Sequence, residues 1–192
     1  MIPASRPHAD QRGRTTFTIR RGLPAEIDVL CALDADASTL YASAGLDLIL
    51  PPDHEFCIAE RDRWLHSLTA GTSLLAVDPA GTAIGFAAAG TMDNQPYLDQ
   101  LSVRASSTRR GVGSALLGAI EQLTIDAGET VLWLLTYDHL PWNRPFYQRN
   151  GYALVPEPEC GAELLRELAY QREWLPLPNS RVVMRKRLGA GF

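Results

Sequence analysis

The segment Arg109-Arg110-Gly111-Val112-Gly113-Ser114 constrains the fold of this chain more than any other. It joins a strand-like stretch, Gln95–Val103, to the most regular helical pattern, 111–127. In that pattern Val112, Ala115, Leu116, Ala119, Ile120, Leu123 and Ala127 recur at helical spacing, and Gly128 follows where a helix end favours a left-handed residue. Glycines at a helix start let a ligand approach the backbone closely and leave amide N–H groups free to donate. The helix dipole adds partial positive charge, so the turn suits an anion such as a pyrophosphate, and Arg109 and Arg110 reinforce it.

Two other phosphate-binding motifs are excluded. A Walker loop needs Lys-Ser or Lys-Thr after its last glycine, and this chain has Ser114-Ala115. A dinucleotide fingerprint needs a third glycine where Leu116 stands, and its first glycine at the strand end, whereas 104–110 separate Val103 from Gly111 here.

Around this unit the sequence reads as mixed α/β. Strands are predicted over 17–20, Ser73–Val77, 83–89, Gln95–Val103, 131–135, 152–155 and 181–188. The turn Asp78-Pro79-Ala80-Gly81 makes the second and third a hairpin. Five continuous apolar residues at 131–135 suit a strand buried on both faces. Helices are predicted over 24–33, 55–68, 111–127, 143–150 and 162–173, with broken helix or loop over 34–53. Asn143 stands at the N-cap of the fourth, Pro145 in its first turn and Gly151 beyond its end. With no repeat or long linker, 15–192 reads as one domain and 1–14 as a loose tail without a secretory h-region.

Composition narrows the function. A net charge of -4 and 46% apolar content describe an ordinary globular chain and disfavour nucleic acid as a partner. No apolar run is long enough to span a membrane. Cys31, Cys57 and Cys160 lack metal-ligand spacing and read as free thiols of a cytoplasmic protein, so no metal is expected.

Leu98-Asp99-Gln100-Leu101-Ser102-Val103 followed by Arg110-Gly111-Val112-Gly113-Ser114-Ala115-Leu116-Leu117 resembles the acetyl-CoA-binding motif of the GNAT family of N-acetyltransferases. About thirty residues on, Pro141-Trp142-Asn143-Arg144-Pro145-Phe146-Tyr147-Gln148-Arg149-Asn150-Gly151-Tyr152 resembles that family's second signature. The resemblance implies an α/β (α+β) GNAT fold: a mixed, mostly antiparallel sheet whose strands around Leu101 and Val131 splay apart to admit the pantetheine arm of acetyl-CoA. It implies cofactor binding by the backbone of Leu101, Ser102 and Val103 and by Arg109, Arg110, Gly111, Val112, Gly113 and Ser114, with a contact from Asn143 and with Tyr147 near the cofactor sulfur. Two departures stand out. Thr108 occupies a position usually Arg or Gln, beside an Arg109 where glycine is common, and Leu140 replaces a common Asn seven residues before Tyr147.

The chemistry is direct transfer to a primary amine. In the expected reaction a neutral amine attacks the thioester, main-chain N–H groups near Leu101 receive the negative oxygen, and Tyr147 is the candidate to protonate the leaving thiolate. The base is Asp99, on the strand two residues before the acetyl site, or Asp138, His139 or water. Alternation pairs Asp99 with Tyr97 and Leu101 on one face. Acidic residues Asp34, Asp36, Asp47, Asp53 and Glu55, with Trp142, are expected at the acceptor mouth and favour a small-molecule amine, the enzyme acting as monomer or homodimer. A peptide acceptor, or a non-catalytic acyl-CoA sensor, are the alternatives.

Overall fold

The computed structural model describes residues 16–48 and 50–189. The tail expected over 1–14 lies outside them. The described chain runs β1 (Thr18–Arg21), α1 (Ile27–Ala42), α2 (Glu55–Ala70), β2 (Ser73–Val77), β3 (Ala83–Met92), β4 (Gln95–Val103), α3 (Val112–Asp126), β5 (Val131–Tyr137), α4 (Arg144–Arg149), β6 (Ala153–Val155), α5 (Ala162–Trp174) and β7 (Arg181–Arg187). The strands form one seven-stranded sheet in the order β1-β2-β3-β4-β5-β7-β6. Every neighbouring pair is antiparallel except β4 with β5.

That parallel pair is short. Tyr97 lies opposite Trp133 and Leu98 opposite Leu134, and the pairing goes no further. Beyond Leu98 the rest of β4 keeps its partner β3 but leaves β5, so a gap opens between the two strands and α3 begins near its mouth. This is the divergence implied by the family resemblance.

One face of the sheet packs on α3: Leu98, Leu116, Leu117 and Ile120 are buried together, with Leu101 and Val103 against them. The other face packs on α1 and α2 through Leu30, Leu33, Trp64, Leu68 and Phe86. Further along, it packs on α5 through Tyr97, Leu135, Leu164, Leu168 and Val183. The helical period of α3 follows from its apolar stripe, and Gly128 takes φ 85° just past its end, as the sequence implies.

The largest departure from the sequence reading is α1. The sequence suggests a break after Leu33, yet the helix runs on to Ala42. Its acidic residues are not solvated breaks. Asp34 Oδ1 accepts from Ser102 Oγ at 2.7 Å, and Asp36 Oδ2 accepts from the Ala105 N–H at 2.6 Å. Tertiary hydrogen bonds to β4 and to the turn after it thus override a locally poor helix composition.

A second departure concerns facing. Gln100 lies opposite Ala88 and Leu98 opposite Ala89, so Asp99 is an extra residue, a β-bulge. The bulge resets alternation. Leu98 and Leu101 both lie on the α3 face, while Asp99 joins Tyr97 and Gln100 on the opposite one. Asp99 therefore does not share a face with Leu101, as strict alternation implied.

Candidate active site at the split between β4 and β5

The open edge of β4 offers main-chain groups. The Arg104 N–H donates to Ile84 O at 2.9 Å, which makes Arg104 and Ile84 a hydrogen-bonded pair. Antiparallel pairs alternate, so Ser102 also turns its main-chain groups to β3, while Leu101 and Val103 turn theirs into the gap. Ser102 thus differs from its two neighbours: its main chain serves the sheet and its hydroxyl serves Asp34.

The gap leads to the glycine turn. Arg109 and Gly111 both have positive φ, 57° and 84°, with Arg110 between them. A left-handed residue costs a non-glycine roughly 1–2 kcal/mol. The backbone at Arg109 therefore explains why a glycine is common there, and why arginine needs a compensating role. Gly111 is the N-cap of α3, with no side-chain cap, and the first α3 amide bonded to it is that of Ala115. The N–H groups of Val112, Gly113 and Ser114 are left pointing outward at the positive end of a 15-residue helix. Nothing lies within 4 Å of a Cβ built on Gly111. Free edge groups, a row of uncapped amides and open space fit the pantetheine arm and pyrophosphate of coenzyme A. Thr108 plays a local part: its hydroxyl donates to Ala105 O at 3.0 Å.

The second signature lies against the first. A Cβ on Gly113 would stand 3.6 Å from Phe146 Cζ and 3.7 Å from Val103 Cγ2, so α4 abuts the glycine turn. Tyr147, 8% exposed, belongs to the same cluster as Leu98 and Val112 and meets Phe146 and Tyr152 edge-on. Burial raises its pKa, with the Tyr41 charge adding to the rise and Arg181 opposing it, so the hydroxyl keeps its proton at neutral pH. Asn143 is the N-cap of α4 by position, but its side chain does not cap. Its Nδ2 donates to Thr136 Oγ1 at 2.8 Å and to Tyr41 OH at 3.3 Å, and its Oδ1 is buried without a partner. Leu140 packs in an apolar cluster with Tyr137 and Leu46, so a polar contact from that position is replaced by packing.

Across the sheet from α3 lies a group of carboxylates. The Asp99 side chain is 7% exposed, its Oδ1 accepts from Arg63 Nε at 3.0 Å, its Oδ2 is buried without a well-formed hydrogen bond, and the Trp64 indole N–H is close enough to favour the charged form. Burial pushes its pKa up to about 6 against the opposing pull of Arg63, and Glu167 adds to the rise. Glu167 lies 3.5 Å from the other side of Arg63. The Glu60 carboxyl is raised well above the ordinary range by burial and by the charges of Asp34 and Asp99. Asp34 is raised by burial, with its bonds to Ser102 and Gln100 opposing. Glu60, Arg63 and Glu167 were missed by sequence reasoning. Glu60 and Arg63 are three residues apart on one face of α2, a spacing that equally describes a solvated helix surface.

The other base candidates lie elsewhere. Asp138 is ion-paired with Arg144 and His139 is exposed, both beyond the end of β5. Of the expected acidic mouth, Asp34 and Asp36 turn inward, Asp53 and Glu55 are exposed, and Trp142 meets Tyr41 edge-on at 5.9 Å. All three cysteines are free, and no cluster of metal-ligating side chains occurs among the described residues. No helix among them is long and apolar enough to cross a membrane.

The profile of the acetyltransferase (GNAT) family matches residues 40–152. An uncharacterized N-acetyltransferase, YafP, of Escherichia coli is 30% identical over 145 residues, 72% of this chain and 83% of that protein. The PaiA N-acetyltransferase of Thermoplasma acidophilum, solved with coenzyme A, superposes with TM-score 0.61 at 18% identity, covering 89% of this chain and 98% of the other. A GNAT acetyltransferase of Staphylococcus aureus gives TM-score 0.65 at 15% identity, with 90% and 99% covered. With the split sheet and glycine turn in place, the chain belongs to the acetyltransferase (GNAT) family, and with it goes N-acetyl transfer from acetyl-coenzyme A.

Proposed function

We propose that the chain transfers the acetyl group of acetyl-CoA directly to a primary amine of a small molecule. The observation that supports the acetyl-CoA part of this reading is the split itself. It exposes the main-chain groups of Leu101 and Val103 along one edge and ends at the uncapped amides of Val112, Gly113 and Ser114. When bound, acetyl-CoA supplies an activated thioester. The open edge of β4 holds and aligns it, and a main-chain N–H there stabilises the carbonyl oxygen as negative charge develops. Arg109 and Arg110 add charge beside the phosphates.

Asp99 is the proton acceptor. With a pKa of about 6 it is mostly ionised at neutral pH yet close enough to neutrality to take a proton. Arg63 holds Oδ1 and leaves Oδ2 free to act. As the amine nitrogen bonds to the carbonyl carbon and the carbon–sulfur bond breaks, Asp99 takes the amine proton and Tyr147 gives one to sulfur. Tyr147 suits that role because burial keeps it protonated until the thiolate forms. No cysteine lies in either signature, which supports direct transfer over a covalent enzyme intermediate.

The test is an assay of thiol release with acetyl-CoA and a panel of small primary amines beside a set of peptides, with products identified by mass spectrometry. Acetylated small amines are expected. Acetylation of peptides alone overturns the small-molecule reading, and tight coenzyme A binding without turnover of any acceptor points to a sensor.

A further inference from the structure

The chain does not itself balance the buried charges on its acceptor side. Arg181, the first residue of β7, is 8% exposed. Its Nη2 donates to Gln171 Oε1, and its Cζ sits 4.7 Å from the centre of the Tyr137 ring. A neutral amide and an aromatic ring are thus its partners. Among the described residues it forms no ion pair with a carboxylate, and its Nε is buried without a hydrogen bond. A guanidinium buried on these terms is strongly unfavourable until an anion joins it.

At the other end Asp99 Oδ2 is also buried without a well-formed hydrogen bond. A continuous polar chain connects the two. Gln171 Nε2 donates to Glu167 Oε1 at 2.8 Å, Glu167 lies 3.5 Å from Arg63, and Arg63 donates to Asp99 at 3.0 Å. Both ends look onto one face of the sheet. Tyr97, Leu135 and Val183 share a cluster under α5, and two residues further along each strand stand Asp99, Tyr137 and Arg181. Arg181 is also near enough to the buried hydroxyls of Tyr41 and Tyr147 for its charge to oppose the rise that burial gives them.

We infer that the acceptor is a zwitterion, with Arg181 receiving its carboxylate and Asp99 its reacting amine. The inference rests on the proposed reading of the chain as a small-amine acetyltransferase and names its substrate class. Geometry narrows it further. β5 lies between β4 and β7 and has parted from β4 beyond Leu98, so more than two strand spacings, more than about 10 Å, separate the rows that carry the two charges. An amine and a carboxylate on the same carbon do not bridge that interval. An amino acid that reacts through an amine at the end of its side chain does. Arg181 supplies the planar fork that a carboxylate takes in two parallel bonds.

The experiment compares L-lysine with cadaverine, which carries the same terminal amine without the carboxylate, as acceptors for acetyl-CoA. The expected kcat/KM for lysine exceeds that for cadaverine by about tenfold or more, the scale of a charge-assisted hydrogen bond. Mass spectrometry should place the acetyl group on the side-chain nitrogen. Arg181→Gln is expected to cut the lysine-to-cadaverine ratio about tenfold, mainly through the KM for lysine. Arg181→Lys, which keeps the charge and loses the fork, should cut it by less, and it stands in if the glutamine variant does not fold. Equal or better use of cadaverine by the unaltered protein overturns the inference, as does a loss in either variant that is the same for both acceptors. Turnover confined to carboxylate-free amines overturns it while acetyl transfer to small amines stands. No turnover of any small amine, with coenzyme A still bound, overturns the reading beneath it and the inference together.

Discussion

The proposed donor and acceptor sides of the split are built from different material. Toward α3 the site consists of main chain: the free edge of β4 at Leu101 and Val103, two left-handed residues at Arg109 and Gly111, and three uncapped amides. Toward α1, α2 and α5 it consists of side chains: Arg63 ion-paired with Asp99 and Glu167, with Asp34 and Glu60 near enough to feel one another's charge. Main-chain recognition fixes a shared cofactor with little dependence on residue identity. Side-chain recognition is where one chain departs from another. Loss of a donor-side feature should therefore weaken cofactor binding, and loss of an acceptor-side feature should change rate, pH dependence or choice of amine.

The largest expected effect lies on the acceptor side. Asp99→Asn should lower turnover by about 10²–10⁴-fold, the range for a lost general base. The unaltered protein should lose activity as pH falls through about 6, where Asp99 takes up a proton, and that acid limb should vanish in the variant. Stability carries the same signature. The folded pKa lies above the unfolded value of about 3.9, so the native state binds the proton more tightly and stability falls as pH rises from about 4 to about 6. Denaturant midpoints measured across that window should be flatter in Asp99→Asn. A pH–rate profile left unchanged by the substitution removes Asp99 from the role of base.

Tyr147→Phe comes next and tests the seam between the two sides. It keeps the ring that packs with Leu98 and Val112 and removes the proton donor. Turnover should fall about 10- to 1000-fold, with coenzyme A affinity nearly constant. Unaltered turnover in a folded variant assigns protonation of sulfur to another group.

On the donor side, Gly111→Val forces a β-branched residue into φ 84°. Calorimetry should show coenzyme A binding weakened by about tenfold or more, a loss of about 1.4 kcal/mol. Gly113→Ala is a milder companion, because its new methyl meets Phe146 and Val103 at ordinary contact distance. Equal affinity in both variants and the parent refutes the placement of the phosphates.

The same contrast explains what the sequence disclosed. Glycines and a helical stripe are local signals, so β4, the glycine turn and α3 are readable within a few residues of their true bounds. The acceptor side depends on long-range partners. Asp34 and Asp36 read as helix breakers because the groups that satisfy them, Ser102 and the Ala105 N–H, are more than sixty residues away. The facing of Asp99 was obscured by a bulge that appears only when β4 is laid against β3. Arg63 and Glu167 read as surface charges, and their mutual burial against Asp99 depends on the packing of α2 and α5 together on one face. Asn143 stands at the predicted helix start, but Thr136 and Tyr41 attract its amide away from the cap.

The smallest expected effect is the one that most directly tests whether the two sides are independent. Asp36 belongs to α1, an acceptor-side helix, yet its carboxylate accepts from the Ala105 N–H at 2.6 Å, where a short 3-10 turn, Ala105–Ser107, leads into the glycine turn. If the halves were independent, truncating Asp36 would leave cofactor binding untouched. The bond is partly buried and charge-assisted, so its loss should be worth about 1 kcal/mol. Asp36→Ala should therefore raise the KM for acetyl-CoA about fivefold while kcat at saturating cofactor stays within about twofold. Asp36→Asn keeps both the shape and an oxygen acceptor and should recover much of the loss, whereas Asp36→Leu, which fills similar space without an acceptor, should not. An unchanged KM for acetyl-CoA in the alanine variant would show that α1 merely rests on the turn. A raised KM restored by asparagine and not by leucine would show that the bond from α1 sets the position of the glycine turn.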